Sequence, residues 1–226
     1  HPLVLSNSKI LKILEVNDLS TAINPIGIFN IAIIQDKTII KEADKIINKE
    51  YMLFCKSYTI KGLDWHKDYN SGRIWNKKHF SRLKYENLSD SSDAKFPWEL
   101  SRLHHFTTLG LAYTLTKNNI YYVEFKTQFY SWIKENPYQI GINWVMPMEC
   151  AIRSINLIQS YYLFQEVIEP ELLSELIKTI YLHGKHIEEN LEWSPEKENH
   201  YLSDITGLFF IGIFLRNTAI GKSWIN

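Results

Sequence analysis

Charge of one sign is what this sequence lacks most plainly. Its 226 residues include 25 Lys and Arg against 25 Asp and Glu, so the formal net charge is zero. A protein that binds nucleic acid usually carries a basic stripe or has a high isoelectric point, whereas the isoelectric point here is about 7.2. The balance of charge therefore argues against nucleic acid as a partner.

Cysteine and long apolar runs are scarce as well. Cys55 and Cys150 are the only cysteines. Both lie in apolar stretches typical of helices, which predicts two buried free thiols rather than a disulfide. Cys55 has no Cys or His at zinc-site spacing, and no metal or other cofactor is predicted. No apolar run reaches the roughly 18 residues of a membrane span. No signal peptide is visible after His1. Because the sequence starts at His1 and not at Met, we expect that a leader has been removed or that the chain has been cut.

Apolar and aromatic residues are abundant. They include 7 Trp, 13 Tyr and 11 Phe, and apolar residues make up 45% of the chain, enough for one large domain with a core. Most of these rings are expected to fill the core. Rings also stack on sugar faces, but this matters only where several of them line one cleft.

Most of the chain has helical periodicity, and Pro97 and Pro147 stand where helices would start. The predicted helices are 26–34, 38–48, 98–116, 120–135, 147–165, 170–189 and 200–216. Residues 51–60 favour a short extended piece, and 61–93 predict a long ordered loop. The loop side chains expected to pack or to face a ligand are Trp65, His66, Trp75, His79 and Tyr85.

Short links between long helices predict antiparallel hairpins. The predicted fold is all-α, an incomplete (α/α) toroid of antiparallel helical hairpins with a long N-terminal loop region. A single domain over 1–226 would hold N-terminal helices and the loop over about 1–93, and the hairpins over 94–226. Two hairpins are complete, and the last strong helix lacks a mate because 221–226 is predicted to be a frayed end.

Two stripes of polar residues are candidates for a site. Trp98, Arg102 and His105 are spaced i, i+4, i+7, which would place them on one helical face. The guanidinium of Arg can donate two parallel hydrogen bonds to a carboxylate. Alternatively, Arg102 pairs with a core Glu and His105 bonds a backbone carbonyl. The second stripe is Glu149, Arg153 and Asn156 at the same spacing. It favours a structural pair between Glu149 and Arg153, with Arg153 pointing into a cleft as the alternative.

Asn143 and Tyr201 stand near the starts of two predicted helices. Asn143 could be an N-cap or a ligand-facing amide. Tyr201 follows His200 where exposed backbone amides favour anions. Capping by Asn143 and packing by Tyr201 are sufficient alternatives.

Four motifs follow one another along the chain: LDWHKDYNSGRIW, FPWELSR followed by His105, NW followed by ME and AIR, and NHY followed by GLFF. In this order they resemble the heparinase II/III-like polysaccharide lyases, over roughly 43–210. Together they are fairly specific. Some alginate-type relatives carry a His directly after the Asn; Trp144 at that position points toward the heparinase III-like arrangement.

The resemblance implies the N-terminal part of a longer enzyme that cleaves a uronic-acid-containing polysaccharide by β-elimination. In the family the helical toroid normally continues into an antiparallel β-sandwich, which is absent from this chain and commonly supplies a further catalytic His. A periplasmic or secreted bacterial protein with an acidic polysaccharide substrate is implied. The even charge favours a uronate polymer that is not heavily sulfated.

The resemblance also implies roles for residues. An Asn at the position of Asn143 neutralises the uronate carboxylate, and a Tyr at the position of Tyr201 transfers the proton. Masking the carboxylate charge makes the neighbouring proton acidic enough to remove, so donors must stabilise the developing enolate. A base and an acid must then move protons. The side chains expected to line the cleft are Trp98, Arg102, His105, Trp144 and His200.

Two other functions stay open. An (α/α) toroid glycoside hydrolase would need two carboxylates across a cleft, and Glu99, Glu149 and Asp204 are available. A non-catalytic glycan-binding or surface-polysaccharide biosynthesis protein would not need proton transfer by Tyr201.

Overall fold

The computed structural model describes residues 12, 23, 37–86, 88–193 and 199–226. Most of their regular structure is helical, so the predicted all-α class is confirmed; the helix predicted over 26–34 lies outside the described residues. The helices are α1 (Lys37–Ile47), α2 (Lys95–Ser101), α3 (His104–Thr116), α4 (Asn119–Glu135), α5 (Pro147–Phe164), α6 (Pro170–Glu189), α7 (Asn199–Phe214) and α8 (Ala219–Ile225). The strands are β1 (Glu50–Leu53) and β2 (Lys56–Thr59), and short 3₁₀ turns occupy Phe80–Arg82 and Ile142–Trp144.

The extended piece predicted over 51–60 is a β-hairpin. β1 and β2 pair antiparallel, and Tyr51 of β1 is buried in the core. Phe54 and Cys55 form the turn, with φ angles of 50° and 61°. Cys55 is therefore an exposed thiol in a turn, and the prediction of a buried helical cysteine is wrong for it. Cys150 is free and buried, as predicted.

The described residues of the long segment 61–93 form an ordered loop with one short 3₁₀ turn, in agreement with the prediction. Trp65 and Trp75 are buried within it. The indole of Trp65 donates to Ser131 Oγ of α4 at 3.0 Å, and that of Trp75 donates to the carbonyl of Lys84 at 3.2 Å. These bonds hold the loop against the helices and order its second half.

The single helix predicted over 98–116 is two helices. α2 and α3 are separated at Leu103, which is buried and has a left-handed φ of 62°. Such a conformation costs a non-glycine residue roughly 1–2 kcal/mol, so a regular helix does not continue through it. The prediction that Trp98, Arg102 and His105 share one helical face is therefore wrong.

Two side chains of α5 satisfy the backbone at this break. Arg153 Nε donates to the carbonyl of Ser101 at 2.6 Å, and Asn156 Nδ2 donates to the carbonyl of Arg102 at 2.8 Å. Without these partners, two helix-end carbonyls would be left unpaired in the interior. The polar stripe of α5 therefore supports the fold.

The helices form successive hairpins. Two residues link α3 to α4, which makes the pair antiparallel, and Asn118 caps α4 by accepting the N–H of Ile120 at 3.1 Å. α3, α5 and α7 lie side by side with the largely buried α5 in the middle. The incomplete (α/α) toroid itself stays a prediction. The helices predicted over 38–48, 120–135, 147–165, 170–189 and 200–216 are each confirmed to within two residues.

The frayed end predicted over 221–226 is wrong, because α8 covers most of it. Thr218 caps α8 by accepting the N–H of Gly221 at 2.9 Å. α8 packs on α7, and the Trp224 ring lies against Gly184 of α6. α8 therefore packs on part of the surface of α7, which was predicted to have no partner helix. Within the described part of the chain, the length and apolar character of a membrane-crossing helix are not found.

Candidate active site

A groove of about 430 Å³ lies where the long loop meets the starts of α2, α5 and α7. Tyr85 and Trp98 line it with rings whose centroids are 5.7 Å apart, and Met146 and His200 also line it. The indole of Trp98 donates to the carbonyl of Ile142 at 2.8 Å, which anchors the ring. Of the predicted site side chains, the structure brings Trp98 and His200 together here.

A carboxylate holds the imidazole of His200. Its Nδ1 lies 2.9 Å from Glu192 Oε1. The other carboxylate oxygen of Glu192 accepts the N–H of Met148, in the first turn of α5, at 3.3 Å. The N–H of Glu192 itself donates to Asp204 Oδ2 of α7 at 2.9 Å. Glu192 therefore links His200, at the start of α7, to the first turn of α5 and to Asp204.

Asp204 is a buried acid beside this pair. Its side chain has no exposed surface, and its Oδ1 has no hydrogen-bond partner among the described residues. Burial raises the pKa of Asp204 to about 6, because a low-polarity environment disfavours the charged form. A carboxyl so placed cannot touch a ligand in the groove.

Tyr201 follows His200 in the first turn of α7 and is partly exposed. The lining of the groove includes His200 rather than the Tyr201 side chain. The phenol is not part of the groove lining, and its role as a proton-transfer group stays a prediction.

Asn143 lies in the interior and not on a surface. Its side chain has no exposed area, and Nδ2 donates to the carbonyl of Trp65 at 2.7 Å and to Asn136 Oδ1 at 2.8 Å. Oδ1 is buried without a hydrogen-bond partner among the described residues. The N-cap position of α5 is Met146, so the capping alternative for Asn143 is wrong. In this structure the amide joins the long loop to the end of α4.

Trp144 is also away from the groove. It is 2% exposed, and its ring centroid lies 4.7 Å from that of His183. With Trp132 and Tyr138 it lines a separate cavity of about 520 Å³ between α4 and α6. The expectation that Trp144 lines the same cleft as Trp98 is therefore wrong, because its side chain packs inward between helices.

Arg102 is bound by two carboxylates. Its Nε and Nη2 each lie 2.8 Å from one oxygen of Glu149, and its Nη1 lies 2.7 Å from Glu99. The alternative that Arg102 pairs with a core Glu is confirmed. The hydrogen bonds that the Arg102 guanidinium donates to Glu149 raise its pKa. Because one cation faces two anions, this cluster does not attract a glycan carboxylate.

Arg153 is fully buried and does not pair with Glu149, so that prediction is wrong. Besides Ser101, its guanidinium donates to the carbonyl of Asn143 at 3.0 Å and contacts His183 Nε2 at 2.9 Å. It also lies 4.6 Å from the Trp132 ring centroid. Burial lowers the pKa of Arg153. The carboxylate of Glu149 is bonded to Arg102. The guanidinium of Arg153 contacts backbone carbonyls and aromatic rings instead.

His105 occupies a third location. Its Nε2 lies 2.9 Å from Gln128 Oε1, so its partner is a side chain and not the backbone carbonyl predicted. It lines a cavity of about 320 Å³ beside Tyr51 of β1, and its ring lies parallel to Trp65 at 6.4 Å. Burial lowers the pKa of His105 to about 4, so its imidazole is neutral at pH 7. The break at Leu103 is what turns His105 away from Trp98.

Several residues at the groove were not identified from the sequence: the lining residues Glu86, Asp93, Ala94, Lys95 and Met146, and Glu192, which binds the lining residue His200. Lys95 lines the groove and stands just ahead of the FPWELSR motif, which was the available signal. Glu192 had none, since it falls outside every motif. No group of three or more His, Cys, Asp or Glu side chains suited to a metal ion occurs within the described ranges.

Comparison with known proteins identifies the family. The model of the heparinase II/III N-terminus matches residues 27–226. The chain belongs to the heparinase II/III family. A heparin-sulfate lyase of Bacteroides stercoris is 26% identical over 154 residues, which cover 58% of this chain and 23% of that protein.

Solved members of the heparinase II/III family share the fold. The heparan sulfate lyase HepC of Pedobacter heparinus has a TM-score of 0.61 at 17% identity, covering 97% of this chain and 32% of the other. A heparinase III has a TM-score of 0.64 at 20% identity, covering 96% and 33%. The chain thus spans about a quarter to a third of the length of these relatives.

Proposed function

We propose that this chain is the N-terminal part of a polysaccharide lyase that cleaves a uronic-acid-containing glycan by β-elimination. The observation that carries the proposal is the match of residues 27–226 to the heparinase II/III N-terminus. The similar proteins with assigned activities are heparin-sulfate and heparan sulfate lyases. Because the chain spans a third of them or less, the activity belongs to the full-length protein, in which we expect a C-terminal β-sandwich.

The groove supports this proposal chemically. Tyr85 offers an apolar ring face for a sugar beside Trp98, which is 8% exposed, and the groove lining holds the cation of Lys95 together with the carboxylates of Glu86 and Asp93. His200 supplies an imidazole to the groove lining, and Tyr201, its neighbour in the chain, is proposed to bring its phenol to the same substrate. Such groups suit an elimination, which must remove one proton and deliver another.

The role proposed for Asn143 carries a structural condition. Its Nδ2 is bonded to the Trp65 carbonyl and to Asn136, so a uronate carboxylate would reach the amide only by displacing the loop at Trp65. With the loop displaced in this way, Asn143 is the group proposed to mask the uronate carboxylate. Tyr201 transfers the proton in the same proposal, and neither role depends on a cofactor.

A glycoside hydrolase is not favoured. Glu99 and Glu149 share the guanidinium of Arg102, which removes them as an opposed acid and base. Asp204 is buried. A hydrolase of this type needs two carboxyl groups flanking the bond that is cut, and the described groove does not provide that pair from these three.

The test is ultraviolet detection of unsaturated uronate ends. The full-length protein is incubated with heparan sulfate, heparin, hyaluronan, chondroitin and alginate, beside Tyr201→Phe, Asn143→Ala and the control Glu166→Gln. Glu166 pairs with Lys117 on the exposed surface, so this control should match the wild type. New absorbance on one polymer, lost in Tyr201→Phe, is the expected result.

The panel also tests which polymer is cut. The zero net charge of this part of the protein predicts cleavage of the less sulfated polymers, whereas the relatives named above act on heparan sulfate or heparin. No absorbance from any polymer, with folded protein, would contradict the lyase proposal and favour a binding or biosynthetic role.

A further inference from the structure

The cavity between α4 and α6 is lined by four Trp or Tyr rings, against two in the groove. Its volume is about 520 Å³, which lies within the range of roughly 300–1,000 Å³ that is usual for small-molecule sites. Trp132 and Trp144 are 1% and 2% exposed, with ring centroids 6.2 Å apart. Tyr130 and Tyr138 are partly exposed. Several rings in one cleft are the arrangement that can stack on a sugar.

The charged residues of the cavity lining leave one cation unpaired. They are Lys134 of α4, and Glu175 and Lys178 of α6. Lys178 lies 3.1 Å from Glu175 and forms an ion pair with it. Lys134 is exposed and has no ion pair among the described residues, since the neighbouring Glu135 is bonded to Lys77. With two Lys against one Glu, the lining favours an anionic ligand.

Hydroxyl groups in the cavity lining have hydrogen-bonding capacity left for a sugar. The Thr179 hydroxyl donates to the carbonyl of Glu175 at 2.7 Å, so its oxygen can still accept. The partly exposed phenol of Tyr130 has no hydrogen-bond partner among the described residues. Tyr130 and Lys134 are spaced i, i+4, so the ring and the ammonium lie on one face of α4.

We propose that this cavity binds one uronate-bearing sugar, whose ring packs on Tyr130 and Tyr138 and whose carboxylate pairs with Lys134. The ligand class rests on the proposed function, whereas the site rests on the rings and on the unpaired cation. No bond is made or broken in the cavity, so its role is binding alone. The alternative is that the rings only fill the space between α4 and α6, and it predicts no binding.

The experiment titrates the full-length protein with an unsulfated disaccharide that has an unsaturated uronate at its non-reducing end. Elimination cannot cut this sugar again, so binding is measured without turnover. The tryptophans carry a fluorine label, and the signals of Trp132 and Trp98 are assigned by their loss in Trp132→Phe and Trp98→Phe. Trp132 reports on the cavity and Trp98 on the groove. We expect the disaccharide to shift the Trp132 signal in a saturable way.

Two variants test the groups assigned to the sugar. Lys134→Gln should raise the dissociation constant measured at Trp132 by about fivefold, which corresponds to the loss of one exposed ion pair. Tyr130→Leu removes the ring face and should raise it by about threefold. Lys117→Gln is the matched control, because it removes the same charge from an exposed lysine at the opposite end of α4. It should leave the dissociation constant unchanged.

A neutral sugar separates charge from structure. The carboxyl-reduced form of the disaccharide should bind the wild type and Lys134→Gln equally, because it has no carboxylate for the ammonium. The proposal would be overturned by a Trp132 signal that does not move, or by equal binding of the charged sugar to Lys134→Gln and the wild type. The same loss for both sugars in Lys134→Gln would also overturn it.

The proposed function and the uronate site fail in different ways. If the wild type cuts no polymer but the disaccharide shifts the Trp132 signal with the expected dependence on Lys134, the lyase proposal fails and the binding site stands. If the wild type cuts a polymer and the Trp132 signal does not move, the lyase proposal stands and the binding site alone is overturned.

Discussion

Two polar clusters meet the start of α5, and they differ in exposure. In the groove cluster, His200 is 42% and Glu192 23% exposed. In the buried cluster, Asn143, Arg153 and His183 have no exposed surface. Both clusters contain an imidazole, so the presence of a histidine alone does not distinguish them.

The difference shows what each cluster can do. In the buried cluster the donors of Arg153 and Asn143 are used by carbonyls and side chains of the protein itself, and their hydrogen bonds stabilise the fold. At the groove, the partly exposed ring of Tyr85 and one imidazole nitrogen of His200 remain for a ligand. Substitutions in the buried cluster should therefore lower stability, whereas substitutions in the groove cluster should lower activity.

The largest effect on stability is expected for Arg153→Met. Methionine keeps part of the side-chain volume but leaves the carbonyls of Ser101 and Asn143 without this donor. At roughly 1–3 kcal/mol for each buried group left unpaired, the free energy of unfolding should fall by about 2–6 kcal/mol. Urea unfolding followed by tryptophan fluorescence measures it. Lys117→Met, on an exposed ion pair, should cost less than about 1 kcal/mol, and equal losses would contradict the assignment.

The next largest effect is a dependence of stability on pH that Asp204 causes. The folded pKa of Asp204 is about 6, against an ordinary value of 3.8, so the folded state binds more protons between those values. Stability should fall as pH rises through this window, by up to about 3 kcal/mol. Asp204→Asn removes this slope and should be stabilising relative to the wild type above about pH 6. A stability difference that does not vary with pH would disprove it.

A smaller loss of stability is expected for Asn143→Ala. The substitution leaves the buried carbonyl of Trp65 without its donor, which should cost about 1–3 kcal/mol. Unfolding and lyase activity are measured on the same preparation. If Asn143 also masks the substrate carboxylate, activity of the folded fraction falls too. Full activity per folded molecule would restrict Asn143 to the buried, structural cluster.

The smallest effect on stability is expected for His200→Gln. Its imidazole is partly exposed and its ion pair is of the kind that contributes roughly 0–1 kcal/mol. The urea midpoint should therefore stay close to that of the wild type, while kcat on the cleaved polymer should fall strongly. A large loss of stability with unchanged kcat would move His200 from the groove cluster to a structural role.

Much of the fold could be predicted because its signals are local. Periodicity and the prolines at 147 and 170 locate α5 and α6 to within a residue. The break at Leu103 has no local signal, since the apolar pattern continues across it. It depends on Arg153 and Asn156, which reach the freed carbonyls from a helix about 50 residues away in the chain.

The site was less predictable because its contacts are not local. The i, i+4 spacing favoured a pair between Glu149 and Arg153, yet Glu149 bonds Arg102, which lies 47 residues earlier. Asn143 and Trp144 belong to a family motif, but their side chains are buried here. Trp98 and His200 meet in the groove although they are remote in sequence. The order of the motifs, rather than any spacing, predicted the family.

Mass spectrometry of the products formed in heavy-oxygen water tests the central claim most directly. The full-length protein is incubated with the polymers named above, with Tyr201→Phe alongside. Elimination predicts an unsaturated end and no oxygen from the solvent in either product, and loss of both products in the variant. Products that each lack a double bond and together carry one solvent oxygen would show hydrolysis and contradict the account.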